Sequence, residues 1–138
     1  MKQDLRDLVW ERSHADCEYC QIPQQFVELS HEVDHVIAEQ HRGPTTADNL
    51  ALACYSCNKN KGPNISSKDP HTKQTVDLFN PRTDPWADHF RWEGAVLRGI
   101  TPIGRATVEL FKINALDRIN LRRSLIEEGV FPPSANRS

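Results

Sequence analysis

The sequence predicts an α+β fold, built on a small core of two strands and one helix that four cysteines hold together. Three observations support this prediction. All four cysteines of the 138-residue chain fall in two C-x-x-C pairs, at residues 17–20 and 54–57. Between the pairs, alternating polar and apolar residues over 26–36 predict a strand, and the apolar run 49–54 predicts a second strand or the start of a helix. A short helix is expected to begin at the second pair and to end at Gly62.

Helical periodicity and turn residues predict further elements on both sides of this core. Apolar residues recur at helical spacing over residues 3–14, so we expect an amphipathic helix there. In the helices near the C-terminus, Thr101 and Asn114 are expected N-caps, and Leu116 is expected to face inward. After the core we expect these elements in order: a strand over 75–79, a hairpin of strands 88–92 and 95–100, helices over 102–113 and 115–128, and a loose tail from Pro132.

Composition describes a polar globular chain. It has a net charge of −2 and a mean hydropathy of −0.62, and no apolar run approaches the ~18 residues of a membrane span. We therefore expect a single domain over residues 1–138, with a core motif at 17–62 and a C-terminal extension at 63–138, located in the cytoplasm without membrane contact. The negative net charge weighs against a nucleic-acid partner. Basic residues are nevertheless concentrated at two places, which are Lys59, Lys61 and Lys68, and Arg118, Arg122 and Arg123.

The paired cysteines indicate a structural zinc site. Cys17, Cys20, Cys54 and Cys57 supply four thiolates, which fill the tetrahedral coordination of zinc and leave no reactive position. Because cytoplasmic thiols stay reduced, metal binding is favoured over disulfide formation. The alternative is four unrelated buried cysteines, which the paired spacing disfavours.

Asp34 and His35 carry a second set of chemical groups. A carboxylate is a hard oxygen ligand for magnesium or manganese, and a histidine can accept a proton from water near neutral pH. Strict alternation would send the two side chains to opposite faces, so both can serve one site only where the strand ends or bulges. Taken alone, the pair is also compatible with a solvated strand end.

Taken in order along the chain, these groups resemble the motif of a known family. Cys17-x-x-Cys20, Asp34-His35, Asn49-Leu50 and Cys54-x-x-Cys57-Asn58-x-x-Lys61 together resemble the HNH endonuclease motif, in the zinc-containing branch of the ββα-metal nucleases. The resemblance covers about a third of the chain. It implies a ββα-metal core, with His35, Asn49 and Asn58 at the three signature positions. The block over residues 78–92 also resembles an extension found in a subset of HNH proteins.

The resemblance implies a role for each matching residue. Asp34 and Asn58 would hold a catalytic divalent cation, Mg²⁺ or Mn²⁺, and His35 would be the general base that activates the attacking water. Asn49 would brace the loop between the strands and orient His35 by hydrogen bonding, and Lys61 would contact a phosphate.

Two positions depart from the family pattern. Many members carry a proline shortly after the Asp-His pair and two glycines in the loop, where this chain has Ala38 and Arg42-Gly43. These departures bear on the path of the loop more than on the chemistry.

The resemblance implies an endonuclease that hydrolyses the phosphodiester bonds of DNA, with duplex DNA as its partner and the chain acting as a monomer or a homodimer. His41, Arg42, Lys59 and Lys61 are candidate nucleic-acid contacts, although an exposed loop explains the first two equally well. Two alternatives stay open, a zinc-knuckle module that binds nucleic acid without cutting it and a zinc domain that docks a protein partner. The presence of the acid, the histidine and the second asparagine favours the nuclease.

Overall fold

The structure is a computed structural model that describes residues 1–133; residues 134–138 of the expected tail lie outside the described residues. The helices are α1 (Gln3–Arg12), α2 (Tyr55–Lys61), α3 (Trp86–His89), α4 (Pro102–Leu110) and α5 (Leu116–Glu127). The strands are β1 (Glu32–His35), β2 (Leu50–Ala53), β3 (Ser66–Lys68), β4 (Thr75–Asp77), β5 (Phe90–Glu93) and β6 (Val96–Gly99). They form three two-stranded sheets, β1-β2, β3-β4 and β5-β6. The predicted mixture of helices and small sheets is confirmed.

The predicted strand-strand-helix core is present. β1 and β2 pair antiparallel, with His35 opposite Leu50, and α2 follows β2 with one residue between them. That residue, Cys54, caps α2, because its Sγ atom accepts a hydrogen bond from the backbone N–H of Cys57 at 3.4 Å. The helix ends at Gly62, as predicted. All four side chains of β2 are buried, so this strand forms the inner layer of the core.

The predicted strand over 26–36 is wrong for most of its length, since β1 covers only its last third. The side chain of Gln24 satisfies backbone groups that a neighbouring strand would otherwise satisfy. Its Nε2 donates to the carbonyl oxygen of Leu29 at 3.2 Å, and its Oε1 accepts a hydrogen bond from the backbone N–H of His31 at 2.6 Å. The chain therefore forms a compact loop before β1.

The first half of the C-terminal extension differs from the prediction in two ways. The expected strand over 75–79 is β4, and it pairs with β3, which the sequence pattern did not indicate. Asp88 and His89, expected in a strand, belong to α3, and the hairpin of β5 and β6 begins after them. The N-cap of α4 is as predicted, because Oγ1 of Thr101 accepts a hydrogen bond from the backbone N–H of Gly104 at 3.0 Å.

Helix α5 lies where the sequence predicts it, but its cap and its inward face differ. Asn114 does not cap the helix; its amide bridges the backbone N–H and C=O of Leu97 at 2.9 Å each. Leu116 is 72% exposed, whereas the buried side chains of α5 are Arg122 and Leu125. The helix is thus oriented by contacts to the hairpin rather than by an apolar stripe.

One hydrophobic core joins the motif to the extension. The Tyr19 ring, in the first C-x-x-C pair, packs edge-on against Phe111 with the ring centroids 5.0 Å apart. The buried members of this core are Cys17, Tyr19, Cys20, Ile22, Ala53, Cys54, Cys57, Leu78, Phe79, Phe90, Leu97, Phe111, Ile113, Leu125 and Phe131. Among residues 1–133, no helix has the length and apolar character that crossing a membrane requires.

Candidate functional site

The four cysteines converge into one buried cluster. Their Sγ atoms all lie within 4.8 Å of one another, and those of Cys20 and Cys54 are 3.7 Å apart. Four sulfurs around zinc at the usual Zn–S distance of about 2.3 Å lie about 3.8 Å apart, so the spacing fits a tetrahedral ion. The backbone N–H of Cys20 also approaches Sγ of Cys17 at 3.5 Å, which turns the chain tightly around the cluster. The predicted convergence of all four cysteines into a possible zinc site is confirmed.

The charge state of this cluster favours a bound cation. Burial raises the pKa of the Cys17 and Cys57 thiols well above the usual range. The pKa of Cys20 is lowered by hydrogen bonds from Cys17 and then from the other two thiols. Four buried thiols cannot all ionise unaided, because each new negative charge meets the others in a poorly solvated space. A divalent metal ion would offset that charge.

Asp34 lies in a buried ion pair near the end of β1. Nζ of Lys61 is 3.1 Å from its Oδ2 and 3.4 Å from its Oδ1, and the Tyr19 hydroxyl donates to Oδ2 at 3.2 Å. Burial raises the pKa of Asp34, and Lys61 and Tyr19 partly offset that rise by stabilising the ionised carboxylate. Lys61 is only 2% exposed, and Nζ also donates to the carbonyl oxygen of His35 at 3.0 Å. The Lys61 ammonium would have to leave both partners to reach a phosphate.

His35 is the last residue of β1, so the strand ends at the Asp-His pair. Its Nε2 atom lies 2.8 Å from Oγ1 of Thr45 and 3.2 Å from Oε1 of Glu39. A hydroxyl accepts a hydrogen bond from one imidazole tautomer and donates one to the other, so Thr45 can orient the ring in either state. The side chain of His35 is 18% exposed. The imidazole is therefore held at one nitrogen and still reachable from solvent.

Asn49 is buried and fixes the loop between β1 and β2. Its Oδ1 accepts a hydrogen bond from the N–H of Ile37 at 2.9 Å, and its Nδ2 donates to the carbonyl oxygens of Ile37 at 3.0 Å and Pro44 at 2.9 Å. These bonds hold the loop together. The expected direct hydrogen bond to His35 is not present; Asn49 braces the loop that carries Thr45, and Thr45 contacts the ring.

The loop also accounts for the departure from the glycine pair. Arg42 has φ of +66° and ψ of +25°, the left-handed conformation that favours glycine. Gly43 lies so close to the backbone of Ile37 that a Cβ atom would overlap its carbonyl oxygen. The chain thus keeps glycine where no side chain fits, and places arginine where the cost is only conformational.

The remaining predicted residues differ in exposure. Asn58 is half-buried on α2, three residues before Lys61 and hence on the same helix face. Within residues 1–133, the Asn58 amide has no hydrogen-bond partner. His41, Arg42 and Lys59 are exposed, the first two in the loop and the third on α2.

Four residues contact Asp34, His35 or the cysteines although the sequence did not indicate them. Tyr19, Glu39 and Thr45 bond Asp34 or His35. Arg118, in α5, donates from one terminal nitrogen to Sγ of Cys57 at 3.1 Å and approaches Sγ of Cys54 at 3.7 Å. Glu39 stands four residues after a histidine, which is a weak signal; the others carry no spacing that indicates their partners.

Comparison with known proteins finds a family and a relative that parts of this chain resemble. Residues 17–64 match the family described as HNH endonuclease. A curated relative, "Septu protein PtuB" of Bacillus thuringiensis, is 29% identical over 118 residues, which are 84% of this chain and 43% of the relative. The chain therefore spans less than half the length of that relative. Because the family match ends at residue 64, the similarity to PtuB must reach into the C-terminal extension.

No solved structure shows significant similarity to the chain. The family match contains all four cysteines, Asp34 and the lysine that contacts Asp34. Over residues 17–64, this chain is therefore similar to the HNH endonuclease family.

Proposed function

We propose that this protein is a metal-dependent endonuclease that hydrolyses the phosphodiester bonds of duplex DNA, with one structural zinc ion at the four cysteines. The observation that carries the proposal is the His35 imidazole. It lies at the end of a strand, partly exposed, next to an acid whose charge is held by a buried lysine. The HNH family match over the same residues supports this assignment.

His35 is the proposed general base. Its imidazole takes a proton from the attacking water, which a neutral imidazole can do near neutral pH. Glu39, whose carboxylate lies 3.2 Å from Nε2, stabilises the imidazolium that results, and Thr45 holds the ring at 2.8 Å. Asn49 keeps Thr45 in reach through the backbone of the loop.

Asp34 and Asn58 are the proposed ligands of a catalytic Mg²⁺ or Mn²⁺. Carboxylate and amide oxygens suit these hard cations, and the Asn58 amide is uncommitted among the described residues. The bound cation would supply compensation for the negative charge that develops on the phosphate. Lys61 and Tyr19 position the Asp34 carboxylate and keep it ionised despite its burial.

The proposed nucleic-acid contacts are His41, Arg42 and Lys59, because all three are exposed. Lys61 is left out of this set, since its ammonium is buried against Asp34. We also propose that the motif and the extension fold as one domain, because both contribute to one hydrophobic core.

The test is cleavage of supercoiled plasmid by the purified chain, with Mg²⁺ or Mn²⁺ added or removed. The decisive variant is His35→Ala, which we expect to lower the cleavage rate by about 10²–10⁴-fold, the usual contribution of a general base. The matched control is His71→Ala, which removes an exposed imidazole from the turn between β3 and β4. It should cleave like the parent chain.

Zinc content and the thermal transition of each variant are measured on the same preparations. Cleavage that needs the added cation and is lost in His35→Ala, with zinc and fold intact, supports the proposal. Equal cleavage by His35→Ala overturns the role of His35. A folded, zinc-loaded chain that binds duplex DNA and never cuts it would favour the non-catalytic zinc-knuckle module instead.

A further inference from the structure

Arg118 ties the cysteine cluster to the extension that follows the HNH match. Its NH2 group contacts Sγ of Cys57 at 3.1 Å and of Cys54 at 3.7 Å. Its NH1 group donates to the carbonyl oxygens of Phe111 at 2.9 Å and Lys112 at 3.3 Å, just after α4. The planar guanidinium is thus fixed from one side by backbone and presents its other side to two sulfurs.

The charge of a four-thiolate zinc site gives this contact its importance. Four thiolates around Zn²⁺ leave two net negative charges, and this cluster is buried. The backbone N–H groups that reach a sulfur lie at 3.5 Å from Cys17 and 3.4 Å from Cys54. These contacts have the ordinary length of hydrogen bonds to sulfur and come from neutral donors. A charged donor at 3.1 Å contributes more, because hydrogen bonds from an ionised group are about twice as strong.

The neighbouring arginine of α5 does not share this role. Arg122 uses Nε on the carbonyl of Ala95 at 2.9 Å and NH2 on the carbonyl of Ile113 at 3.0 Å. Its guanidinium lies over the Trp92 ring, 5.2 Å from the centroid. Of the two buried or half-buried arginines in α5, Arg118 is the one with donors on the cysteines.

Arg118 also borders a cavity next to the cluster. It lines a cavity of about 380 Å³ together with Cys20, Cys54 and the apolar side chains of Phe26 and Leu121. Two of the four proposed zinc ligands therefore border this cavity. Removal of the guanidinium would widen this space at the sulfurs.

We propose that Arg118 is a positioning residue of the zinc site, which retains the metal by donating to Cys54 and Cys57 and makes zinc binding depend on the docking of α5. The inference rests on one part of the proposed function, the zinc ion at the four cysteines, and does not depend on nuclease activity. Groups that hydrogen-bond metal ligands usually change metal affinity by 10–100-fold when they are removed. The HNH domain would then depend on a residue 54 positions beyond its family match.

The test measures how fast zinc leaves the full chain to an excess of a coloured chelator. Arg118→Met keeps the apolar stem and removes the charge and the donors, and we expect 10–100-fold faster release. Arg118→Lys keeps a positive charge but loses the planar guanidinium with its several donors. Its zinc-release rate should fall between those of Arg118→Met and the parent chain. Arg123→Met is the matched control, because Arg123 is exposed on the same helix. Its release rate should stay within about twofold of the parent, as for other surface changes.

A second readout uses the parent chain alone, so that misfolding of a variant cannot hide the answer. Trypsin cleavage within α5 should become faster when the chelator removes zinc, because loss of the metal weakens both the sulfur contact and the core on which α5 docks. Equal zinc release by Arg118→Met, Arg118→Lys and the parent, or trypsin cleavage of α5 that ignores zinc, would overturn the proposal. A parent chain that binds no zinc would refute the zinc part of the proposed function instead, and so separates the two failures.

Discussion

The two candidate metal sites of this protein are built on opposite principles. The cysteine cluster has four identical donors, all buried and within 4.8 Å of one another, with hydrogen bonds to its sulfurs from three directions. The site around Asp34 has two different donors, one already paired with Lys61 and one uncommitted among the described residues. The first arrangement needs only a metal to be complete. The second leaves positions for water and a phosphate.

This difference predicts that substitutions at the two sites affect different properties, namely the stability of the fold and the cleavage activity. Loss of a donor from the closed cluster should remove a metal that holds two chain segments together, and so unfold the core. Loss of the Asn58 amide from the open site should leave the fold and remove activity, because this amide has no hydrogen-bond partner among the described residues. The residues between the two sites, Tyr19 and Lys61, are the places where this separation can fail, because they are buried and also contact Asp34.

The largest effect is expected at the closed cluster. Cys57→Ser removes a proposed zinc ligand that is fully buried and also bonded by Arg118. Zinc contributes on the order of 10 kcal/mol to the folding of small zinc domains, so this variant should lose its cooperative thermal transition. Near-ultraviolet circular dichroism measures this loss, since Tyr19 and Phe111 pack beside the cluster. Ser56→Ala, which keeps all four thiols, is the control. A zinc-loaded, cooperatively folding Cys57→Ser chain would show that the metal is not what closes the core.

A smaller effect on stability is expected at Lys61, between the two sites. Lys61→Met removes one partner of a buried ion pair and leaves Asp34 unpaired, which usually costs about 3–5 kcal/mol. Urea unfolding measures the change. Lys59→Met, two residues away on the same helix and exposed, should change the free energy of unfolding by less than about 0.5 kcal/mol.

A double variant tests whether the unpaired charge is the cause. Asp34→Asn combined with Lys61→Met leaves no buried charge at this position, so it should be more stable than Lys61→Met alone. If the double variant loses as much stability as the two single variants added together, the ion pair is not the source. The effect would then come from lost packing of the lysine stem.

Sequence reasoning was most successful where the information is local. The spacing of the cysteines is tied to one metal geometry, and Thr101-Pro102 combines a cap with a residue suited to the first helical turn. Both features act within a few residues, so a pattern can carry them. The position of His35 at a strand end followed from the same kind of argument, since one site cannot use both faces of a regular strand.

The errors arise from contacts between residues far apart in the chain. The apolar side chain of Leu116 predicts an inward position, but α5 turns Arg122 inward. The guanidinium of Arg122 contacts the Trp92 ring and three backbone or amide oxygens there. The same rotation brings Arg118 to the cysteines, 61 residues after Cys57. A single sequence has no periodicity that links such positions. The prediction of a long strand over 26–36 was wrong because the Gln24 side chain makes the backbone hydrogen bonds that a neighbouring strand would otherwise make.

The smallest effect concerns the loop that orients His35. Gly43→Ala would place a Cβ atom against the carbonyl of Ile37 and 2.9 Å from Nδ2 of Asn49. The backbone must shift, so we expect a loss of about 1–3 kcal/mol in urea unfolding. The loop carries Thr45, which bonds His35, so cleavage should fall by more than the loss of folded protein explains.

Arg42→Gly is the matched change one residue earlier, because it restores the glycine pair of the family and relieves a left-handed φ of +66°. It should leave stability unchanged or raise it by up to about 1 kcal/mol. If Gly43→Ala cleaved DNA like the parent chain while Arg42→Gly impaired cleavage, the loop would act through the arginine charge rather than through its path. The opposite pattern would assign the departure from the glycine pair to backbone strain that this loop tolerates, and would leave Asn49, Thr45 and Gly43 as the parts that keep the His35 ring in position.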